Sequence, residues 1–291
     1  MRNNKHNKEI MKNQDKTWFI TGTSQGIGLI LVKQLLAQGY NVAATARNAE
    51  SLKKAVGISS ENFLPLEVNL VDESSVKQAV KDTLAKFESI EYLVNNAGYG
   101  LIGGIEESSD AEVRANFDVN VFGLLNVTRA ILPHMRAAKF GHIINISSVF
   151  GLLAGAGWGV YCSTKFAVEA ISEALVQEVK PFGIKVTLIE PGYVRTNFLN
   201  SSSLITSSEP IEAYQEIRDA VRSHQEDLPG KQLGDPEKVA ALIIEVTKWP
   251  QPPLHLLTGS DAYQFANYKI DSLKNEIEAN KDFTFSTDFG S

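Results

Sequence analysis

The sequence predicts an α/β protein: a parallel sheet of about seven strands with helices on both faces. Three observations carry this. Short apolar runs alternate with longer stretches of helical period along most of the 291 residues. Most runs are apolar end to end, as strands buried on both faces must be. A glycine-rich turn joins the first run to the first helical stretch.

Trp18-Phe19-Ile20 is the first strand, and the helical pattern from Ile27 to Gln38 ends at Gly39, a C-cap residue. Val42-Ala43-Ala44 and Phe63-Leu64-Pro65-Leu66 are the second and third strands. Ser74 to Phe87 is helical and Tyr92-Leu93-Val94 is the fourth strand. One long helix is expected from Asp110 to Met135, bent near its end by Pro133. His142 to Ile146 is the fifth strand, Val160 to Lys180 a helix stopped by Pro181, and Ile184 to Ile189 the sixth strand. Val239 to Val246 is helical, and Leu254 to Leu257 is the last strand. No linker divides this body, so residues 17–266 read as one domain. The irregular stretch 193–234 interrupts the alternation and reads as a substrate lid. Residues 1–16, polar and basic, read as a disordered leader, and 267–291 as a loosely ordered polar tail.

Composition narrows the function classes. Lys plus Arg number 28 against 34 Asp plus Glu, a net charge of −6, which argues against a nucleic-acid partner. The single cysteine, Cys162, forbids an intramolecular disulfide and a multi-cysteine metal site, and points to a reducing, cytoplasmic compartment. The five histidines form no His-Glu-x-x-His pattern, so no metal site is expected. No apolar run is long enough to span a bilayer. The tripeptides beginning at Asn126, Asn145 and Asn200 fit a glycosylation pattern by chance, no secretory signal being evident.

The turn after the first strand contains Gly22, Thr23, Ser24, Gln25, Gly26, Ile27 and Gly28. Glycines there let a pyrophosphate approach the backbone, and the following helix N-terminus offers N–H donors and a favourable dipole. A tight turn with no ligand would use the same glycines, but its place between the first strand and first helix of an alternating chain favours the phosphate. The spacing Gly22-x-x-x-Gly26-x-Gly28 is neither the GxGxxG fingerprint nor a P-loop.

That spacing, with Asn95-Asn96-Ala97-Gly98, Asn120, Ser148, Tyr161-Cys162-Ser163-Thr164-Lys165, Pro191-Gly192 and Thr196 in the same order, resembles the short-chain dehydrogenase/reductase family in its short single-domain form. The resemblance runs from Thr17 to Ala262. Within the family, Thr45 to Asn48 and Pro252 to Asp261 look most like the hydroxysteroid-dehydrogenase-like branch. It implies a Rossmann-type doubly wound sheet and a nicotinamide dinucleotide. The glycine turn, Asn69, Leu70, Asn96, Ala97, Gly98, Tyr161, Lys165, Pro191, Gly192, Val194 and Thr196 are then cofactor residues. An acidic residue after the second strand would favour NAD; here Ala46 holds that place and Arg47 follows. A guanidinium suits a 2′-phosphate, so NADP(H) is expected to be preferred, with NAD(H) possible and Ser24 as an added donor.

Tyr161 and Lys165 are four residues apart and share a helix face. A nearby ammonium is expected to lower the phenol pKa from its usual value of about 10. By the resemblance Tyr161 is the general acid or base, Ser148 holds the substrate oxygen, Lys165 binds the ribose, and Asn120 positions a water that resupplies the proton. Tyr193, Phe198, Leu199, Leu204 and Ile205 in the lid, with the glycine-rich run from Gly151 through Trp158, are mainly apolar, which suits a neutral, lipophilic carbonyl or alcohol substrate. An isomerase or epimerase on sugar nucleotides and a non-catalytic nucleotide sensor are the competing readings. The family habit implies a homodimer or homotetramer.

Overall fold

The computed structural model describes residue 13, residues 16–200 and residues 203–290. The expected leader lies outside the described residues except for Asn13 and Lys16. The chain folds as β1 (Thr17–Ile20), α1 (Gly26–Ala37), β2 (Asn41–Ala46), α2 (Ala49–Val56), β3 (Phe63–Glu67), α3 (Glu73–Phe87), β4 (Tyr92–Asn95), β5 (Gly100–Ile102), α4 (Asp110–Phe117), α5 (Leu124–Ala138), β6 (Gly141–Ile146), α6 (Gly159–Val179), β7 (Ile184–Pro191), β8 (Leu204–Thr206), α7 (Gln215–Arg222), α8 (Pro236–Val246), β9 (His255–Thr258), α9 (Ser260–Ala279) and α10 (Lys281–Phe285). Seven strands form one parallel sheet in the order β3-β2-β1-β4-β6-β7-β9. The order reverses between β1 and β4, which opens a crevice at the carboxyl ends of the strands.

Alternation along each strand sends side chains to two cores. Trp18 and Ile20 point to the face covered by α1, α2 and α8, where Leu31, Leu35, Leu52 and Ile243 are buried. Phe19, between them, points to the opposite face with Val76, Ile131 and Val179 from α3, α5 and α6. Four helices, α2, α3, α4 and α8, start at a side-chain cap. Asn48 and Asp72 accept from amides in the first turns of α2 and α3. Ser109 and Glu112 form a capping box on α4, and Asp235 caps α8 ahead of Pro236.

Several elements differ from expectation. Helix α2 was not foreseen: it is only eight residues long, and its signals are the cap Asn48 and the left-handed Gly57. The long helix is broken by a π-helical segment, Asp118–Gly123, which carries Asn120, and α5 runs past Pro133 to Ala138. The stretch 193–234 contains β8 and α7, and β8 pairs with β5 in a separate two-stranded sheet. The polar tail continues α9 and forms α10. Among the described residues, no helix is long and apolar enough to cross a membrane.

Candidate active site

At the carboxyl ends of β1, β2, β4, β6 and β7 lies a cavity of about 610 Å³. The glycine turn forms its floor. Gly22 has φ +68°, and a Cβ there would stand 2.6 Å from the Ala97 Cα. Only glycine allows that approach. Gly28 is equally constrained: a Cβ would lie 2.5 Å from Asn96 Nδ2 and 2.7 Å from the Gly22 carbonyl oxygen. Asn96 fixes the turn by donating to the carbonyls of Thr21 (3.0 Å) and Gly22 (2.8 Å), while the Thr21 hydroxyl accepts from the amides of Asn96 and Ala97. One position back, Asn95 Nδ2 donates to Asn145 Oδ1 at 2.9 Å and ties β4 to β6. Gly22, Ser24, Gln25, Gly26 and Ile27 line the cavity; Thr23 and Gly28 lie behind it. Thr23 is fully buried and donates its hydroxyl to Thr45 O at 3.0 Å. No acidic residue stands in the first turn of α1, so its dipole favours an anion.

At the end of β2, Ala46 and Arg47 line the cavity with no carboxylate at either position. Asn69 and Leu70 line the same end. The Asn69 side-chain oxygen accepts from the Val71 amide at 3.3 Å. Asn96, Ala97, Gly98, Pro191, Gly192, Val194 and Thr196, the other residues expected at the cofactor, also line the cavity.

Ser148, Tyr161 and Lys165 come together at the inner end of the cavity. Ser148 closes the turn after β6 and accepts from the Phe150 amide at 3.1 Å. Lys165 Nζ donates to the Ile146 carbonyl at 2.9 Å and lies 5.8 Å from the centre of the Tyr161 ring. The expected lowering of the Tyr161 pKa is reversed: burial pushes the phenol up, opposed by a hydrogen bond to Ser148. Burial also brings the Lys165 ammonium down to about 8, opposed by the negative charge of Glu169. Cys162 is a packed thiol, pushed up to about 11 by burial. Asn120 does not line the cavity. It is buried beneath, donating to Tyr99 O (3.0 Å) and Thr164 Oγ1 (3.1 Å) and accepting from the Tyr99 amide at 3.0 Å. A Cβ on Gly98 would lie 3.1 Å from Asn120 Oδ1 and 3.7 Å from Lys165 Nζ, so Gly98 leaves room for both.

Phe150, Trp158, Tyr193, Phe198, Leu199 and Ile205 line the remaining wall, which is mainly apolar as expected. Leu204 packs behind it against Trp158 and Tyr161. Arg195, in the lid, donates through Nε and Nη2 to the Gln232 carbonyl. Two features escaped the sequence reading. Gln232 lines the cavity from the lid, and nothing local marks it. Glu169, Glu190 and His255, from α6, β7 and β9, each bring a ligand-type atom within 4.8 Å of the other two. The available signal was Glu169, four residues after Lys165.

Comparison with known proteins places this geometry in a family. Residues 16–204 match the family model described as short chain dehydrogenase. The chain is 37% identical over 265 residues to an oxidoreductase, BOA17, of Botryotinia fuckeliana, covering 90% of this chain and 96% of the relative. It is 35% identical over 248 residues to a 3-ketodihydrosphingosine reductase of Bacteroides thetaiotaomicron, covering 84% and 88%. A crystal structure of a short-chain dehydrogenase from Streptomyces avermitilis superposes with TM-score 0.87 at 37% identity, over 94% of this chain and 99% of the other. The glycine turn, the strand order and these likenesses agree: the chain belongs to the short-chain dehydrogenase/reductase family of oxidoreductases.

Proposed function

We propose that this protein is an NADP(H)-dependent oxidoreductase that interconverts a neutral, lipophilic ketone or aldehyde and the corresponding alcohol. The observation that carries the reading is that Ser148, Tyr161 and Lys165 line one cavity with the glycine turn and Arg47. The residues fit a dinucleotide. Gly22 and Gly26 line the cavity at left-handed φ of +68° and +59°, a Cβ on Gly26 would meet only Thr196 across it, and α1 begins at Gly26. Arg47, with no carboxylate beside it, suits a 2′-phosphate. Pro191, Gly192, Val194 and Thr196, which line the same cavity, would hold the nicotinamide carboxamide.

A bound nicotinamide supplies hydride chemistry; the rest belongs to the chain. Tyr161, kept protonated by burial, gives its phenolic proton to the carbonyl oxygen in the reductive direction. Ser148 holds that oxygen as charge develops on it. Lys165 is fixed by Ile146 O and holds the ribose. Asn120 fixes the Tyr99 backbone and Thr164 around Lys165, and so acts as a positioning residue. The apolar wall selects a lipophilic substrate, a reading supported by the relative named for reduction of 3-ketodihydrosphingosine, a lipid ketone. Phe122, 52% exposed on the π-helical segment before α5, and Phe166, 42% exposed on α6, suit a homodimer or homotetramer built on those helices, which light scattering measures.

The test is a fluorescence titration with NADPH and with NADH. NADPH is expected to bind at least about tenfold more tightly, and Arg47→Ala to abolish the difference by weakening NADPH alone. Equal binding in the wild type overturns the NADP assignment; binding of neither overturns the dinucleotide site.

A further inference from the structure

The elements that carry the active site meet again one layer below the cavity. Glu169 lies four residues after Lys165 on α6, on the same helix face. It is 5% exposed. A Cβ on Gly151 would come within 2.7 Å of its Oε1 and 2.8 Å of Ser147 Oγ, so the carboxyl lies against the turn that carries Ser148. Glu190, fully buried, immediately precedes Pro191 at the end of β7. His255 of β9 closes the group towards solvent. Its Nδ1 stands 2.7 Å from Glu190 Oε1 and 3.5 Å from Glu169 Oε2, and its Nε2 is 3.9 Å from Glu173 Oε1.

Among the described residues, neither oxygen of Glu169 nor Oε2 of Glu190 meets a hydrogen-bond donor in good geometry. Two carboxylates so close and so dry do not both ionise. The 2.7 Å contact between His255 and Glu190 is a direct hydrogen bond and leaves no space for an ion between those atoms. A proton on the pair supplies the missing donor.

We propose that Glu169 and Glu190 share one proton at neutral pH, and that the pair, capped by His255, positions the active site by tying α6 to the ends of β6 and β7 and keeping a second negative charge away from Lys165. The titratable groups facing the pair are Lys165 and Glu173 from α6 and His255 from β9; the β6 end contributes the Ser147 hydroxyl. Burial pushes both carboxyls above the ordinary glutamate range. At Glu169 the neighbouring Glu190 adds to the rise, while Ser147 and His255 oppose it. The consequence for cofactor binding rests on the dinucleotide reading above; the shared proton does not.

The linkage fixes the sign. Carboxyls raised in the folded state contribute stability that is fully present below the ordinary Glu pKa, about 4.3, and is lost as pH rises through neutrality. Glu169→Gln keeps the shape and one donor but cannot ionise. Its thermal midpoint is expected to gain roughly 3 °C or more on the wild type between about pH 6 and about pH 9. A difference that stays flat, or a variant that loses ground as pH rises, overturns the shared proton. Positioning is read from NADPH binding at about pH 7: Glu169→Ala is expected to raise the dissociation constant about tenfold and Glu169→Gln to restore it. An unchanged constant in Glu169→Ala, or no rescue by Gln, overturns the positioning role. A wild type that binds neither NADPH nor NADH overturns the dinucleotide reading and with it this role, while the thermal arm still decides the shared proton.

Discussion

The wall of the cavity formed by the glycine turn and the ends of β1, β2 and β4 differs from the lid wall, residues 193–234, in what holds its atoms in place. The turn wall hangs on the sheet ladder. Ile20 pairs in register with Ala44 and Val94, and the amides of Thr21 and Thr23 donate to Val94 O and Thr45 O. Among the described residues, the lid wall has only the short β5–β8 ladder and the Val194–Gly234 bridge, and adds to them side chains that reach far along the sequence. Buried Glu107 accepts from the amides of Gly104 and Ile211 and from the guanidinium of Arg218. Tyr193 and His224 meet at 2.9 Å, and Arg195 holds the Gln232 carbonyl. A wall built on backbone is disturbed by changes of backbone freedom. A wall built on side chains can be unhooked one residue at a time while the sheet stays folded.

The largest expected effect falls where the walls meet. Tyr161→Phe removes the proposed proton donor and keeps the ring that packs on Trp158 and Phe198. Turnover of a lipophilic ketone is expected to fall about 10²–10⁴-fold, with NADPH binding by fluorescence little changed. Retained turnover would remove the tyrosine from the chemistry and leave both walls as binding surfaces only.

The next effect is confined to the lid. Glu107→Ala leaves Arg218 without its buried partner, a loss of about 3 kcal/mol. That loss is expected as faster proteolysis within 203–234 and a raised KM for the ketone, with NADPH affinity nearly intact. Glu107 also carries a pH signature. Burial raises its pKa, but the Ile211 and Gly104 amides and Arg218 outweigh this and hold it below the ordinary range. Its contribution is therefore present above about pH 4.3 and lost as pH falls below it, so the lid should open to protease first in acid. Loss of NADPH binding in Glu107→Ala would show that the lid holds the turn wall and break the comparison.

The converse test is Gly22→Ala. A left-handed φ of +68° and the 2.6 Å approach to Ala97 make this a backbone change, worth about 2 kcal/mol or more. Dinucleotide binding is expected to be lost while the lid keeps its protease resistance.

The same contrast explains what could be read from the sequence. Parallel strands buried on both faces leave apolar runs, and a phosphate turn needs glycines at fixed spacing, so the sheet and Gly22–Gly28 are visible in order along the chain. Ser148, Tyr161 and Lys165 are likewise set by short spacings, in the turn after β6 and on α6. The β5–β8 pairing joins Gly100 to Leu204, and Glu107 finds Arg218 across 111 residues. No local pattern encodes either. The π-helical break at Asn120 was hidden because its residues keep a helical apolar period, and the rise of the Tyr161 pKa because burial depends on Phe198 and Leu204 arriving from the stretch 193–234.

The smallest effect concerns a link between the walls. Gln25 Nε2, at the N-cap of α1, donates to Ser203 Oγ at 2.6 Å, across 178 residues. Ser203 is 9% exposed, so the bond is largely shielded from water. Ser203→Ala is expected to cost about 1 kcal/mol, within the usual net value of one such bond. Because Gln25 also lines the cavity, part of that cost should appear as a two- to fivefold rise in the NADPH dissociation constant, on the order of 0.4–1 kcal/mol. A double-mutant cycle with Gln25→Ala isolates the bond itself. A coupling of about 0.5–1.5 kcal/mol would mean that lid closure and dinucleotide binding reinforce each other through this contact. Zero coupling would mean that the two walls act independently, each held only by its own means.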